Sequence, residues 1–493
     1  MRCSNCQKAI FACSNRTGSP QLFILLSAIE MNERHRQFPL LKQLLRWILV
    51  VSPVAIAVGC MVALFLWLLH EAIHLRFRFP VLLYFLPLAG LLIHFIYNKL
   101  GKSSEKGNNL IIEEIHQPGG GIPRRMAPIV LLCTVITHLF GGSAGREGTA
   151  VQIGGSIAQM FGRWFRLGEK DMKMLLTAGV AAGFGAVFGT PLAGAVFAME
   201  VLSIGKVRYD SLLPCLLAGI LGDATVAAWG LHHTTYHIGI VRLSDGLLPQ
   251  YISPDFLLLL KVVIASIAFG LAAFLFSFLV TLLKSFFNRL LSRQWIVPLA
   301  GGLIIILITF LLGKPDYLSL GVDAEYPGAV TIPSAFSAGG ADTWSWLWKT
   351  IYTTITLSSG FKGGEVTPLF YIGATLGNTL SLLLDAPVGL FAALGFIAVF
   401  AGATNTPLAC TIMGVELFGS EHIHLFAVAC FIAYFFSGHS GIYGSQRIAV
   451  PKILSGRLAD GTILSDTNAR RTRLFSRKIS RLWLMLRKTR NEQ

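Results

Sequence analysis

Two acidic residues lie between glycines inside a strongly apolar chain. The stretch 145–149 reads G-R-E-G-T and contains Glu147, and the stretch 363–367 reads G-G-E-V-T and contains Glu365. A charged side chain in hydrocarbon is costly, so a carboxylate in such a place is by default part of an ion pathway or a proton relay. Two of them at matching positions indicate a transporter that is built from an internal repeat.

The composition requires elements that can hold these acids within a membrane. Of the 493 residues, 54% are hydrophobic and only 13% are charged, and the mean hydropathy of +0.63 excludes an ordinary soluble protein. Three uncharged runs reach the ~20 residues that a spanning helix needs: they are Trp47–Leu69, Val262–Leu283 and Trp295–Gly313. Met174–Met199 and Ala386–Val415 are also long, but glycine and proline interrupt them. We therefore predict an all-α polytopic membrane protein with discontinuous helices around a central site.

The net charge of +16 is concentrated near the two ends of the chain. Lysine and arginine are frequent at 34–46 and again at 470–490. By the positive-inside rule both termini are predicted to be cytoplasmic, which explains these clusters without a nucleic-acid partner. The basic tail has the pattern of an amphipathic helix that lies on anionic lipid. The predicted parts are a cytoplasmic leader (1–45), two membrane repeat halves (46–245 and 246–452) and a basic cytoplasmic tail (453–493) in the inner (plasma) membrane.

A second pair of matched segments supports the repeat. Residues 190–193 and residues 406–409 both read T-P-L-A, and each is followed at the same spacing by an acid, Glu200 or Glu416. We expect these two acids to hydrogen-bond helix ends rather than to bind ions. In transporters such repeats are commonly inverted, and the substrate site lies at their interface.

Glycine-rich turns that run into helices collect backbone N–H groups at a positive dipole end, which is where anions bind. Glycine also serves the close packing of membrane helices, so a single stretch is a weak signal. Four stretches fit this description: 119–123, 145–148, 360–368 and 441–444. Together they are a more specific signal, because two of them contain an acid and the last contains Tyr443.

Other polar residues have plainer explanations. Glu113, Glu114 and His116 precede the first glycine stretch, and we expect them in a solvated loop, with the lining of an inner vestibule as the alternative. His138 is expected to be a packed polar side chain. Arg146 either draws anions toward Glu147 or pairs with a carboxylate, and the residues alone do not decide between these roles.

These motifs resemble those of the CLC chloride channels and proton-coupled anion antiporters. The stretch 119–123 resembles the family's G-S-G-I-P motif, 145–149 resembles G-R-E-G-P, 364–368 occupies the place of G-I-F-x-P, and Tyr443 that of the pore tyrosine. The resemblance extends over about residues 47–452. It implies an all-helical homodimer with a separate anion pathway in each subunit. It also implies that Glu147 is the gating glutamate, which competes with the anion and carries a proton.

The departures from the family pattern are as informative as the matches. Gly120 replaces an anion-coordinating serine, Val201 replaces an inner proton-accepting glutamate, and Thr149 replaces the proline of the gating motif. Glu365 and its two successors replace apolar filter residues. This combination resembles the fluoride-transporting branch of the family, which carries G-R-E-G-T and G-G-E-V-T-P. The resemblance to that branch is what names fluoride as the substrate.

The chemistry of the residues is consistent with fluoride. This small, strongly hydrated anion needs short hydrogen bonds from O–H and N–H donors, and Thr367 and Tyr443 supply hydroxyls. We predict fluoride export by fluoride/proton antiport; the alternatives are a chloride/proton antiporter and a passive anion channel of the same fold. Glu147 and Glu365 are assigned to gating and proton transfer. The predicted anion-binding set is Gly120, Gly121, Ile122, Arg146, Gly148, Gly364, Val366, Thr367 and Tyr443.

No cofactor and no metal site are expected. Cys3, Cys6 and Cys13 form a CxxC with a third cysteine nearby, but no fourth zinc ligand is obvious, and Met31 is an alternative start of the chain. An intramembrane enzyme would need a nucleophile with its base, or a metal cluster, within the apolar segments. We expect neither, so the enzyme class is set aside.

Overall fold

The computed structural model describes residues 20–236, 238, 256–291, 293–452 and 461–469, with side chains from Leu41 onward except those of residues 102 and 103. The three leader cysteines and the basic residues beyond 469 lie outside this part of the chain. The contacts divide the chain into a unit of residues 1–50 and a unit of residues 51–493. The α-helices in the described part are α1 (Pro20–Arg78), α2 (Leu86–Leu100), α3 (Asn108–His116), α4 (Met126–Leu139), α5 (Glu147–Trp164), α6 (Glu169–Phe188), α7 (Pro191–Glu200), α8 (Leu212–Ala228), α9 (Phe256–Leu290), α10 (Ile296–Leu312), α11 (Ser345–Ser358), α12 (Val366–Leu383), α13 (Val388–Thr404), α14 (Pro407–Phe418) and α15 (Ile423–Phe436).

Six helical segments of the described residues are long and apolar enough to cross a membrane. Of the three uncharged runs that the sequence indicated, two fall within α1 and α9, and the third contains α10. Of these, α10 has 17 residues and is shorter than the predicted segment. The six segments are Leu41–Arg78, Pro80–Leu100, Glu169–Phe188, Tyr209–Ala228, Phe256–Leu290 and Val366–Leu383.

The two interrupted apolar segments are broken as predicted, and at equivalent places. Helix α6 ends at Phe188 and α7 begins at Pro191, while α13 ends at Thr404 and α14 begins at Pro407. Proline suits the first position of a helix because its missing N–H has no intrahelical partner there. The residues that directly follow the two preceding helices, Gly189 and Asn405, have the left-handed conformation that is typical of a helix C-terminus.

Glu200 and Glu416 cross-link the matched segments reciprocally. Glu200, the last residue of α7, accepts hydrogen bonds from the amides of Leu408 (3.1 Å) and Ala409 (2.8 Å) at the start of α14. Glu416, near the end of α14, accepts two hydrogen bonds of 2.9 and 2.8 Å from amides at the start of α7. The expectation that these acids bond helix ends is confirmed. Reciprocal contacts between equivalent residues are the pattern of two-fold related segments.

A small sheet positions the segment that contains Tyr443. Strand β1 (Ser203–Ile204) pairs in parallel with β2 (Arg447–Ile448), which pairs in antiparallel with β3 (Thr462–Ile463). The side-chain amide of Gln446 donates to the carbonyls of Val201 and Thr404, at 2.8 Å each. The glycine stretch 441–444 therefore leads into a strand, and the prediction that all four stretches run into helices is wrong for this one.

Candidate anion site

The first residues of two helices, α5 and α12, lie next to each other. The glycines that precede them, Gly145 and Gly364, form an antiparallel bridge in which each amide donates to the other's carbonyl, at 2.6 and 2.7 Å. A Cβ on Gly364 would lie 2.6 Å from the amide nitrogen of Gly148, so only glycine permits this approach. The bridge brings the N-termini of α5 and α12 together, with their free N–H groups and positive dipole ends.

The carboxylate of Glu147 accepts hydrogen bonds at these helix N-termini. Its side chain is buried, and both carboxylate oxygens lie 2.6 Å from the hydroxyl of Thr367. The amide of Thr367 donates to Oε2 of Glu147 at 3.0 Å, and the amide of Arg146 donates to the same oxygen at 3.1 Å. An acid from the first half of the chain is therefore held by an alcohol and an amide from the second half.

The guanidinium of Arg146 accompanies this carboxylate. Its Nε lies 3.6 Å from Oε1 of Glu147, and the side chain keeps about a fifth of its surface exposed. The residues alone left two roles open for Arg146. The geometry supports pairing with Glu147, at a position that is still open to an approaching anion.

The space on one side of Glu147 is small, and we call it the narrow cavity. Its volume is about 20 Å³, room for roughly one water molecule. Glu147, Arg146 and Thr367 form its polar wall. The remaining lining residues are largely apolar and aromatic: Phe188, His233, Thr234, Tyr236, Val322, Phe370, Phe396 and Leu417.

A larger space, which we call the wide cavity, is lined by Glu365, Tyr443 and Asn108. Its volume is about 210 Å³. Three lysines line it, namely Lys106, Lys284 and Lys362, against two acids, Glu105 and Glu365. An excess of positive charge in a cleft raises the local concentration of anions. Glu365 thus lines a space that is large enough for several water molecules, whereas the space beside Glu147 holds roughly one.

Asn108 is a site residue that the sequence analysis missed. It begins α3 directly after Gly107, and a Cβ on Gly148 would lie 3.0 Å from its side-chain nitrogen. It is 9% exposed, and its Oδ1 has no hydrogen-bond partner among the described residues. Buried amides are normally satisfied, so this unpaired oxygen suits a water molecule or a protonated group in the cavity, whereas the side-chain N–H groups are the donors that an anion could use. A single glycine followed by two asparagines was the available signal.

The segment 120–122 does not lie at this site, which corrects its prediction as an anion-binding element. Gly120 is exposed, and a Cβ on Gly121 would meet the side chain of Arg163 near the end of α5. The hydroxyl of Ser156 donates to the carbonyl of Pro123 at 3.0 Å. Ser156 lies nine residues after the start of α5, about 14 Å along the helix from Glu147. Ile122 is buried, but in that same distant segment.

The polar residues before this segment are also placed differently from the prediction. Glu113, Glu114 and His116 belong to α3 rather than to a solvated loop. Glu114 is buried and accepts a hydrogen bond from the amide of Gly119 (3.1 Å), while the His116 ring lies 2.9 Å from the carbonyl of Leu202. Burial lowers the pKa of His116, so the ring adds no charge at neutral pH. Pairing of these side chains with backbone groups explains why they tolerate burial.

His138 is a packed polar side chain, as predicted. It is fully buried in α4, and its two ring nitrogens lie 2.8 and 3.0 Å from the carbonyls of Thr134 and Ala144. Both nitrogens are therefore engaged by backbone groups.

Comparison with known proteins gives a consistent set of relatives. A model of the family described as voltage gated chloride channel matches residues 89–438. A chloride/fluoride channel protein of Pseudomonas syringae pv. tomato is 46% identical over 422 residues, which are 85% of this chain and 90% of the relative. An H(+)/Cl(-) exchange transporter, ClcA, of Vibrio cholerae is 25% identical over 62% of this chain and 68% of its own.

Solved structures agree with the sequence relatives. The crystal structure of a CLC-type fluoride/proton antiporter is 35% identical, covers 81% of this chain and 97% of its own, and superposes with a TM-score of 0.74. A slow cyanobacterial Cl⁻/H⁺ antiporter superposes with a TM-score of 0.66 over 80% of this chain and 94% of its own. At 19% identity the second likeness shows a shared fold alone.

Proposed function

The chain belongs to the voltage-gated chloride channel family of membrane proteins, and we propose that this member exports fluoride in exchange for protons. The observation that carries the proposal is the bond between the Glu147 carboxylate and the hydroxyl and amide of Thr367. These donors form an anion site, and in this structure the protein's own carboxylate fills it. We further propose that the protein is a homodimer in the inner membrane.

Competition at Thr367 provides the coupling. Short hydrogen bonds from O–H and N–H donors are what a small, strongly hydrated anion needs in place of water. Glu147 holds these donors only while it is ionised. Protonation removes its charge and lets fluoride take its place, so each departure of Glu147 carries a proton and admits an anion.

The wide cavity supplies the second access route. The positive-inside rule places the N-terminus in the cytoplasm. One crossing by α1 and a return by α2 then place the end of α2 on the cytoplasmic side, and Tyr97 near that end lines the wide cavity. Fluoride enters this lysine-lined space, where Tyr443 and Asn108 offer donors. Glu365 exchanges protons there and takes over the role of the inner glutamate that Val201 replaces.

Flux measurements on protein in liposomes test the proposal. Fluoride and chloride efflux are recorded with electrodes, and the pH is followed in the same sample. We expect fluoride efflux far faster than chloride efflux, with opposed proton movement that Glu147→Ala abolishes. The exposed Glu421 provides a control, because Glu421→Gln should leave both fluxes unchanged.

Three results would contradict parts of the proposal. Chloride efflux as fast as fluoride efflux would overturn the choice of fluoride and favour a chloride/proton antiporter. Fluoride efflux without proton movement would make the protein a channel. A Glu365→Gln variant that moved protons at the normal rate would remove Glu365 from the proton route.

A further inference from the structure

One metal-ligand pattern lies directly after the first apolar segment, Trp47–Leu69. Residues 70–74, near the end of α1, read H-E-A-I-H, which is the H-E-x-x-H spacing. On a helix this spacing puts both histidines on one face, one turn apart, as a metal requires.

The structure adds a third ligand from a distant part of the chain. The ligand atoms of His70, His74 and Asp323 all lie within 4.8 Å of one another. The two imidazole rings meet edge to face, with centroids 4.2 Å apart. All three side chains are exposed, so an ion can reach them. Within the described residues this cluster does not include Glu71, the residue that would act as the base in an H-E-x-x-H hydrolase.

Asp323 lies in a loop that is fastened on both sides of it. Two residues after it, Glu325 accepts a 2.6 Å bond from Arg76 on α1, and both side chains are largely buried. The buried Asp316, which precedes Asp323, accepts a 2.6 Å hydrogen bond from the hydroxyl of Tyr326, which follows it, and this bond closes the loop around Asp323. These ties hold Asp323 beside the histidines, so little ordering is required when an ion binds.

We propose that His70, His74 and Asp323 bind a divalent transition-metal ion of the zinc type, and that the bound ion slows transport past Glu147. Two imidazole nitrogens and one carboxylate oxygen form the usual three-ligand zinc set, with water in the fourth position. Imidazole also suits Cu²⁺ and Ni²⁺, whereas Mg²⁺ and Ca²⁺ prefer oxygen ligands. The site therefore selects against the common hard cations.

The effect on transport follows from where the loop leads. Val322, the neighbour of Asp323, lines the narrow cavity together with Glu147 and Thr367. This space of about 20 Å³ leaves little room for an anion beside Glu147, so transport requires its lining to move, and Val322 is the part of the lining that an ion on Asp323 would restrain. A metal ion that joins α1 to Asp323 adds a second link beside the Arg76–Glu325 pair, restrains Val322 and keeps the narrow cavity closed.

Binding is tested on the purified full-length protein in detergent, where transport plays no part. Cobalt(II) is the probe, because its visible absorption reports imidazole coordination, and zinc displaces it in competition. We expect one ion per chain, and His74→Gln and Asp323→Asn should each weaken binding by at least about tenfold, since losses of second-shell groups alone cost 10- to 100-fold. His424→Gln changes an exposed histidine outside the cluster and should bind like the unchanged protein. Equal binding by His74→Gln and His424→Gln would overturn the site.

The link to transport is tested in liposomes, with zinc on both sides so that the orientation of the protein is irrelevant. Micromolar zinc should slow anion efflux severalfold, a chelator should restore it, and His74→Gln should be insensitive while keeping the basal rate. Bound zinc that leaves efflux unchanged would overturn the link to the narrow cavity. Whichever anion is carried serves for this test, so its result is independent of the choice of fluoride.

Discussion

The two G-x-E-x-T segments occupy equivalent positions but meet different surroundings. Glu147 is buried and accepts a hydrogen bond from the hydroxyl of Thr367, while Glu365 lines the wide cavity beside lysines. The threonines differ in the same way. Thr367 holds the acid of the other segment, whereas the hydroxyl of Thr149 lies 2.8 Å from that of Thr134. One local pattern thus serves a closed position in one half and an open position in the other.

The frame around these segments is nevertheless close to symmetric. The Gly145–Gly364 bridge and the reciprocal bonds of Glu200 and Glu416 relate equivalent residues in both directions. Symmetry therefore belongs to the helix ends, and asymmetry belongs to the side chains that line the two cavities. A transporter needs this division, because a site that is open equally to both sides would leak.

Removing each acid in turn tests the asymmetry with the largest expected effect. Glu147→Ala frees the donors of Thr367, so anion efflux should continue while proton movement falls by about 10²-fold or more. Glu365→Gln leaves Glu147 on Thr367, so both fluxes should fall together. Fluoride and proton fluxes in liposomes distinguish the two patterns. The same phenotype from both variants would contradict the assigned difference between the acids.

The threonines allow a matched pair of nearly isosteric changes. Thr367→Val removes a hydrogen bond to a charged group, worth about 1.5–3 kcal/mol, so transport should fall by about tenfold or more. Thr149→Val removes a bond between neutral hydroxyls, which should lower the free energy of unfolding by about 1 kcal/mol and leave transport nearly unchanged. Efflux rates and thermal melting are measured on both variants. Equal losses of transport would show that Thr367 has no special role.

Local sequence patterns predicted the elements better than the contacts between them. Glycine and proline within the two long apolar segments marked the breaks before Pro191 and Pro407, and the isolated acids marked Glu147 and Glu365. These signals depend on a few neighbouring residues. The bond between Glu147 and Thr367 joins positions 220 residues apart, and only the folded chain brings them together.

The misplaced glycine stretch shows the limit most clearly. Stretch 119–123 is richer in glycine than the turn at Gly107, yet Gly107 and Asn108 reach the site. Glycine content reports where a backbone can turn, not where the turn lies. The H-E-A-I-H segment shows the converse, because its third ligand, Asp323, is separated from it by about half the chain.

The helix-capping acids test whether the symmetric frame is separate from the site. Glu200→Gln replaces one acceptor oxygen with a donor, leaves an amide at the start of α14 unpaired and should destabilise the protein by about 2 kcal/mol. Glu416→Gln should cost about 1 kcal/mol, because this residue is only half-buried and water replaces part of the loss. Melting in detergent measures both, and the fluoride-to-proton ratio should not change. An altered ratio in either variant would place these acids in the transport path.

The smallest expected effect concerns the charge of the wide cavity. Lys284 lines it, so Lys284→Gln should slow fluoride entry about twofold at low ionic strength, because one fewer positive charge lowers the local anion concentration. The difference should vanish near 1 M of an impermeant salt, where the screening length is about 3 Å. Lys170→Gln, at an exposed position at the start of α6, is the matched control. If both lysine variants slowed fluoride entry equally, the attraction of the anion would come from the overall positive charge of the chain. The two cavities would then differ in size and shape but not in their effect on anions.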